Sequence, residues 1–469
     1  MSQRSIRIWL AILCIIALVA RLGADIKLKA WRAPSAMEHR SIAVSLVAGT
    51  GFSFSNFGYY GPSSVQSPLF PFLLAGMYKT FHAVEFDADH KPHLIPQQEQ
   101  KAYFAIMVMN ALAGALLVWL TYHMTRTLGG TPLAGLIAAG LVSIWPTQIY
   151  AARFVQAVVF ITCGLAGMII LYYRAMASGK TAPWLGYSIV AALVAVTEPV
   201  FLPGLFLIAG LMLITRALPW NKRFRNLAIQ AFAVLAILGP WATRNYIVHG
   251  KLIPVKGSFW VNVWKGNNDY ATGSDRLALT PAEKAKLARH PTAETGDDIE
   301  DTPHEFDMLD PSQIAELANH PEAYTEEIFK RYATTWIKAH PARFAQLCGI
   351  RFIKSITIDW DNPRAYLSRT YQASRGLILL LTLGGLLIAW RQKWRMQLPI
   401  IFAVTALASY TLTVTAARFA FPFEPIQLAL AGGLIAAMVP DPDRARKAAA
   451  RGFEPILRGV PAIARTTSP

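Results

Sequence analysis

The sequence predicts an all-α polytopic membrane protein with about ten transmembrane helices. Three observations carry this. Of its 469 residues, 54% are hydrophobic and only 16% charged, where a soluble domain carries about a quarter charged residues. Apolar runs of about 15 to 24 residues recur along most of the chain, the length a helix needs to cross hydrocarbon. Lys and Arg gather in the gaps between these runs, at alternate span ends, as cytoplasmic loops require.

Taken in order, the runs fall near 8–24, 101–122, 132–150, 154–173, 184–197, 199–215 and 226–243, then 376–390, 397–414 and 419–438. No small-residue cleavage site separates the first run from Arg21, so it reads as a span and not a cleaved signal. The division is therefore 1–243 as an N-terminal bundle, with a first outer loop at 25–100, and a large outer loop at 244–375. Helices at 376–438 and a basic tail at 439–469 complete the chain. An even number of spans puts both termini on the cytoplasmic side and both irregular loops together on the other.

The net charge of +17 follows this topology. Arg4, Arg7, Arg126, Arg174, Lys180 and the clusters at 216–225, 391–395 and 444–465 mark orientation. A nucleic-acid partner would need a basic stripe on one face, so none is expected. Cys14, Cys163 and Cys348 supply neither a disulfide framework nor a metal quartet.

Within the first outer loop, the apolar stretch 69–81 is short and interrupted by Pro71, which predicts a juxtamembrane helix. The stretch "MEHRSIAVSL" predicts a short amphipathic turn beginning at Glu38. A carboxylate at a membrane cavity can serve as a general base; the plain alternative is a surface Glu paired with Arg40 or His39. Asp25 reads as a helix-end charge.

In the second loop, Pro240 and Trp241 are expected to end a span, and 245–273 to be extended or turn structure. Arg244 would then emerge at headgroup depth, either snorkelling or clamping a lipid phosphate with its planar fork. Lys251, Lys256 and Lys265 add cations nearby, and Asn262, Asn267 and Asn268 offer hydrogen bonds suited to a sugar. The acidic run 294–310 is a solvated block or a site for a divalent cation. From 311 to 358 helical periodicity returns through Ile314, Leu317, Ile328, Tyr332, Trp336, Phe344 and Leu347, with "HPARF" at 340–344 separating two helices. Between the last two spans, Arg418 either pairs with Glu424 or helps to hold a phosphate. Glu198 and Gln156 are polar positions inside spans.

Four stretches in order, "MEHRSIAVSLVAGTGFS", "GPSSVQSPLFPFLLAGMYKTF", "PWATRNYIVHGKLIPVKGSF" with "WKGNN", and "RFAFPFEP", resemble the bacterial dolichyl-phosphate-mannose–protein mannosyltransferase-like family. These are C-type integral-membrane glycosyltransferases related to the aminoarabinose transferase of lipid A. The resemblance implies the C-type fold, a polyprenyl-phosphate-linked sugar as donor, and a catalytic carboxylate in the first outer loop. It implies a bacterial inner-membrane enzyme with a periplasmic site, acting on a glycolipid, polysaccharide or protein acceptor; a monomer is expected. Family members often carry an Asp-x-x-x-Tyr pattern, where this sequence has Ser35 and His39, and places Glu38 four residues before Ile42. The aminoarabinose branch has a Lys where Gln66 stands. Glu38 is therefore the candidate base. Arg244 and Lys256, which match the family's basic positions, join Arg418 and Arg40 as candidate phosphate contacts. Asn262, Asn267, Asn268, Tyr59 and Tyr60 are the candidate sugar and acceptor contacts. A phosphate is already a good leaving group, so one carboxylate suffices where glycoside hydrolases need two, and cations must stabilise the departing charge. Two other readings stay open: an oligosaccharide ligase or polymerase, and a non-catalytic transporter or flippase.

Overall fold

The computed structural model describes residues 2–32, 34, 36, 38–214, 218–275, 309–360 and 368–439. The acidic run 294–310, except its last two residues, and the basic tail beyond Val439 lie outside the described residues.

The protein is a multi-pass helical membrane protein. Among the described residues six helices are long and apolar enough to cross a bilayer: Gln3–Leu28 (α1), Pro96–Leu128 (α4), Val158–Ser178 (α7), Trp220–His249 (α10), Arg369–Arg391 (α15), and Ala417–Met438. The last of these is a 3₁₀ turn, Ala417–Phe423, continuing into Glu424–Met438 (α17). Shorter apolar helices are Pro132–Ile144 (α5), Thr181–Thr197 (α8), Pro199–Ile214, whose α-helical part is Leu202–Ile214 (α9), and Gln397–Leu412 (α16). The ten apolar runs read from the sequence fall on these ten helices, six of which have the length to span.

The run 132–150 is broken. Trp145 takes an extended backbone and Pro146 opens a separate short helix, Pro146–Ala151 (α6). Pro146 has no N–H, so the Val142 carbonyl one turn back loses its helical donor. Arg21 of α1, itself buried, supplies the replacement: its Nη2 donates to Val142 O at 3.3 Å and its Nη1 to Ser143 O at 3.3 Å. Gly114 of α4 leaves the room this guanidinium needs, since a Cβ there would lie 2.2 Å from Arg21 Nε.

Pro240 does not end its span, contrary to the sequence expectation. Helix α10 runs through it to His249 and stops at Gly250, which closes the helix in the left-handed region at φ 66°. One lost hydrogen bond inside a long apolar helix is tolerated, and only a residue without Cβ enters that cap freely. The segment expected to be extended likewise contains a helix, Phe259–Gly266 (α11).

The first outer loop folds as Glu38–Val47 (α2), a hairpin of Ser53–Asn56 (β1) with Tyr59–Pro62 (β2), the juxtamembrane helix Leu69–Thr80 (α3), and a second hairpin, Val84–Phe86 (β3) with Pro92–Leu94 (β4). Phe57 and Gly58 make the two-residue turn of the first hairpin, both at positive φ, as the twist of tight hairpins demands. In the second outer loop Pro311–Leu317 (α12), Glu322–Ala339 (α13) and Pro341–Ile356 (α14) follow the predicted periodicity, with His340-Pro341 between the last two. Leu317, Ile328 and Phe329 pack with Val263 and Trp264 of α11 and with Phe57 of the first hairpin. The two outer loops thus share one apolar cluster.

Candidate active site

Glu38 is the first residue of α2, where unpaired helix N–H groups favour an anion. Gln66 Nε2 donates to its Oε2 at 2.9 Å. Gln66 in turn belongs to the turn 63–68, which the second loop grips. Glu322 of α13 accepts from Ser63 Oγ at 2.5 Å, Ser64 Oγ at 2.5 Å and Ser64 N at 2.9 Å. Gly257 N donates to Ser64 O at 2.9 Å, and a Cβ at Gly257 would lie 2.3 Å from Ser64 Oγ. That contact threads residues 251–257 past the turn and brings Lys256 to the site. Lys256 Nζ lies 3.3 Å from Glu198, at the break between α8 and α9.

The electrostatics join these pieces. Burial pushes the Glu38 carboxyl up, but the backbone N–H, the Lys265 ammonium, the His39 ring and the Gln66 amide together outweigh it and hold the group below the usual carboxylate range. As a residue Glu38 is half-buried. The neighbouring His39 is pushed down to about 4, chiefly by burial and further by Lys256 against the attraction of Glu38. After the backbone N–H, Lys265 has the largest hold on the ionised form of Glu38. The arrangement presents a carboxylate ready to accept a proton, flanked by Lys265 on α11 and Lys256 on the preceding loop.

The other residues singled out from sequence are held elsewhere. Arg40 makes a two-point ion pair with Glu99 at 2.7 and 3.2 Å, and both Tyr78 and Tyr103 donate to the same carboxylate. Arg244 donates to Ser63 O at 2.5 Å, Phe52 O at 2.8 Å and Asn245 Oδ1 at 3.0 Å, with its guanidinium near the mutually packed Trp241 and Phe52 rings. Because α10 continues past Pro240, this Arg sits on a helix against the first loop, and its fork closes the loop onto the bundle.

Asn262, Asn267 and Asn268 each donate back to a carbonyl four residues earlier. Asn267 also accepts from the buried Arg351 at 3.0 Å, and Arg351 donates to Thr411 O and Gly266 O. The "WKGNN" stretch is thereby a packing junction: Gly266 passes the Thr413 carbonyl so closely that a Cβ would meet it. Tyr59 lies in strand β2, and the Tyr60 hydroxyl is taken by Thr50 and Ser45.

The expected pair between Arg418 and Glu424 does not form. Glu424 points into the bundle and bonds Thr147, Gln148 and Arg375 at 2.5, 2.8 and 3.2 Å. Arg418 instead faces Asp275 at 3.5 Å. The 3₁₀ turn between them rotates the two side chains to different sides. Asp25 is also not a surface charge: it is fully buried one turn after Arg21.

Sequence reasoning gave Gln66 and Glu322 no role and took Lys265 only as one of three cations near Arg244. Gln66 was visible only as a departure from a pattern, and Glu322 joins the turn across 258 residues of chain. Among the described residues, no group of three His, Cys, Asp or Glu side chains could hold a metal ion.

No protein-family model matches the chain, and no curated protein matches it. Solved structures do. The archaeal oligosaccharyltransferase AglB from Archaeoglobus fulgidus, in complex with an inhibitory peptide and a dolichol-phosphate, aligns at a TM-score of 0.44 and 14% identity over 99% of this chain and 52% of that one. The apo form of the Archaeoglobus fulgidus oligosaccharyltransferase aligns at 0.46 and 13%, over 99% and 53%. ArnT from Cupriavidus metallidurans bound to undecaprenyl phosphate aligns at 0.38 and 13%, over 99% and 82%. This chain spans about half the length of the oligosaccharyltransferase it matches.

Proposed function

We propose that the protein is a C-type glycosyltransferase that moves a hexosyl or pentosyl group from a polyprenyl-phosphate donor to an acceptor hydroxyl or phosphate at the periplasmic membrane face. The observation that carries this is Glu38: a partly exposed, ionised carboxylate at a helix N-terminus, with Lys265 acting on it, Lys256 nearby, and both outer loops around it. The ordered motifs support the donor class.

In this reading Glu38 takes the proton of the acceptor as its oxygen attacks the anomeric carbon, and the anomeric bond to phosphate breaks with inversion. The electron pair leaves on the phosphate. Lys256 and Lys265 stabilise that charge, with Arg418 as a further cation. Arg244 and Arg40 serve by fixing the first loop, and the asparagines by fixing α11.

The test is sugar transfer from a radiolabelled polyprenyl-phosphate pool in membranes carrying wild type or Glu38→Gln. A positioned base is worth about 100- to 10,000-fold, so transfer collapses by that factor while donor binding persists. Transfer that survives the substitution would sink the mechanism and favour a ligase relying on Arg and His. Transport of labelled lipid without any transfer would favour the flippase.

A further inference from the structure

A second charged site lies at the other end of the bundle. Helix α4 carries Glu99, the partner of Arg40, near its start and Arg126 near its end. Those 27 positions span ~40 Å of helix, more than the ~30 Å of hydrocarbon, so Arg126 lies at the opposite face from Glu38. There Arg126, Arg174, Lys393 and Arg395 line one cleft of about 430 Å³, together with Tyr173 and Gly129 and with no acidic side chain in the lining.

Orientation alone explains basic residues on this face, but not their convergence. The loop that delivers two of them is built for it. Trp394 is buried against three glycines, and a Cβ at Gly129, Gly130 or Gly433 would lie 3.4, 3.0 or 2.8 Å from its ring. Lys393 takes the left-handed backbone at φ 56°. Arg395 N donates to Leu128 O at 2.7 Å, and the Tyr173 hydroxyl joins Gln397 Oε1 and Leu398 N at 3.2 Å each. With Trp394 as the plug, Lys393 and Arg395 are fixed on either side of it at the ends of α4 and α7. All four cations are exposed, and among the described residues none pairs with a carboxylate.

We propose that this cleft binds the headgroup of an anionic phospholipid bearing two phosphodiesters, drawn from the leaflet opposite the Glu38 site. Basic pockets between helix ends at headgroup depth take such groups. Helix α15, which leads into the loop, exposes Leu383, Leu387 and Trp390, surface suited to acyl chains. Four cations in one cleft favour two phosphates over one.

The experiment is native mass spectrometry of the full-length detergent-purified protein titrated with tetraoleoyl cardiolipin, dioleoyl phosphatidylglycerol or inorganic pyrophosphate. Cardiolipin is expected to bind most tightly. The double variant Arg174→Gln/Lys393→Gln should weaken it by about 30-fold, about 1 kcal/mol for each cation removed. Arg174→Lys/Lys393→Arg should keep binding, which separates lost charge from lost folding. Arg4→Gln/Arg7→Gln removes two exposed cations outside the cleft lining and should change nothing. Equal losses in both Gln variants would overturn the cleft as the site. Phosphatidylglycerol binding as tightly as cardiolipin would overturn the two-phosphate assignment, and pyrophosphate binding as tightly would overturn the lipid.

Discussion

At the scale of single residues, Glu38 carries a sign that experiment can read. Its carboxyl lies below the usual range once the backbone N–H, Lys265, His39 and Gln66 have offset burial. The ionised form is therefore complete at neutral pH, and activity that needs it falls only as pH drops through this depressed value. Lys265→Gln removes a cation, so the acid limb of the transfer rate should move to higher pH, toward or past the ordinary carboxylate value. A pH–rate profile of the two proteins checks this, and an unmoved limb would mean that Lys265 does not act on the base. Glu38 was legible in the sequence because a lone acid among turn residues stands out. The action of Gln66 and Lys265 on it was not, because these two come from different loops that meet only in the fold.

At the scale of elements, a half-buried carboxylate fastens α13 to the start of α11 within the second loop. Glu326 of α13 accepts from Trp260 N at 2.9 Å and Val261 N at 3.2 Å, at the start of α11. Burial above all, and then the neighbouring Glu322, push its carboxyl up to about 7. A raised carboxyl stabilises the fold fully below its unfolded value and loses that contribution as pH rises through about 7. Between pH 5 and 8 the melting temperature should fall with rising pH by the equivalent of about 2 kcal/mol. Glu326→Gln should flatten that slope in the same thermal scans.

The junction at Arg351 makes a second prediction at this scale. Arg351→Ala strands the Thr411 and Gly266 carbonyls and the Asn267 amide in a buried place. The loss should be about 3 kcal/mol, read as a lowered melting temperature and faster proteolysis of the second loop. Periodicity revealed the helical character of 311–358 and the break at His340-Pro341, but not the break between α12 and α13. It did not reveal the continuation of α10 through Pro240, because a Pro-Trp pair at a span end and a Pro inside a membrane helix look alike until the following turn is seen to pack.

At the scale of the whole molecule, the cation cleft and Glu38 belong to opposite faces. In a variant lacking Cys14, Cys163 and Cys348, single cysteines at Glu85 and at Lys393 should label from opposite sides with an impermeant maleimide. Glu85 should react from outside in intact cells and Lys393 only after the membrane is opened. Reaction of both from one side would refute this topology and, with it, the assignment of the cleft to the other leaflet.

The sequence by itself determined that the chain is helical and membrane-embedded, which segments are apolar, and that an acid and a set of cations lie in the two irregular segments between apolar runs. Those properties are local: hydropathy over some twenty residues and the spacing of charges suffice to state them. Only the tertiary structure decided which cations act together. Arg244, Arg40 and the three asparagines carried the right chemistry for a ligand, yet buried carbonyls and carboxylates claimed them, because polar groups inside a fold must be satisfied. Gly257 and Gly266 let the backbone that carries Lys256 and Lys265 pass where a side chain would collide, and no local pattern encodes what a glycine passes.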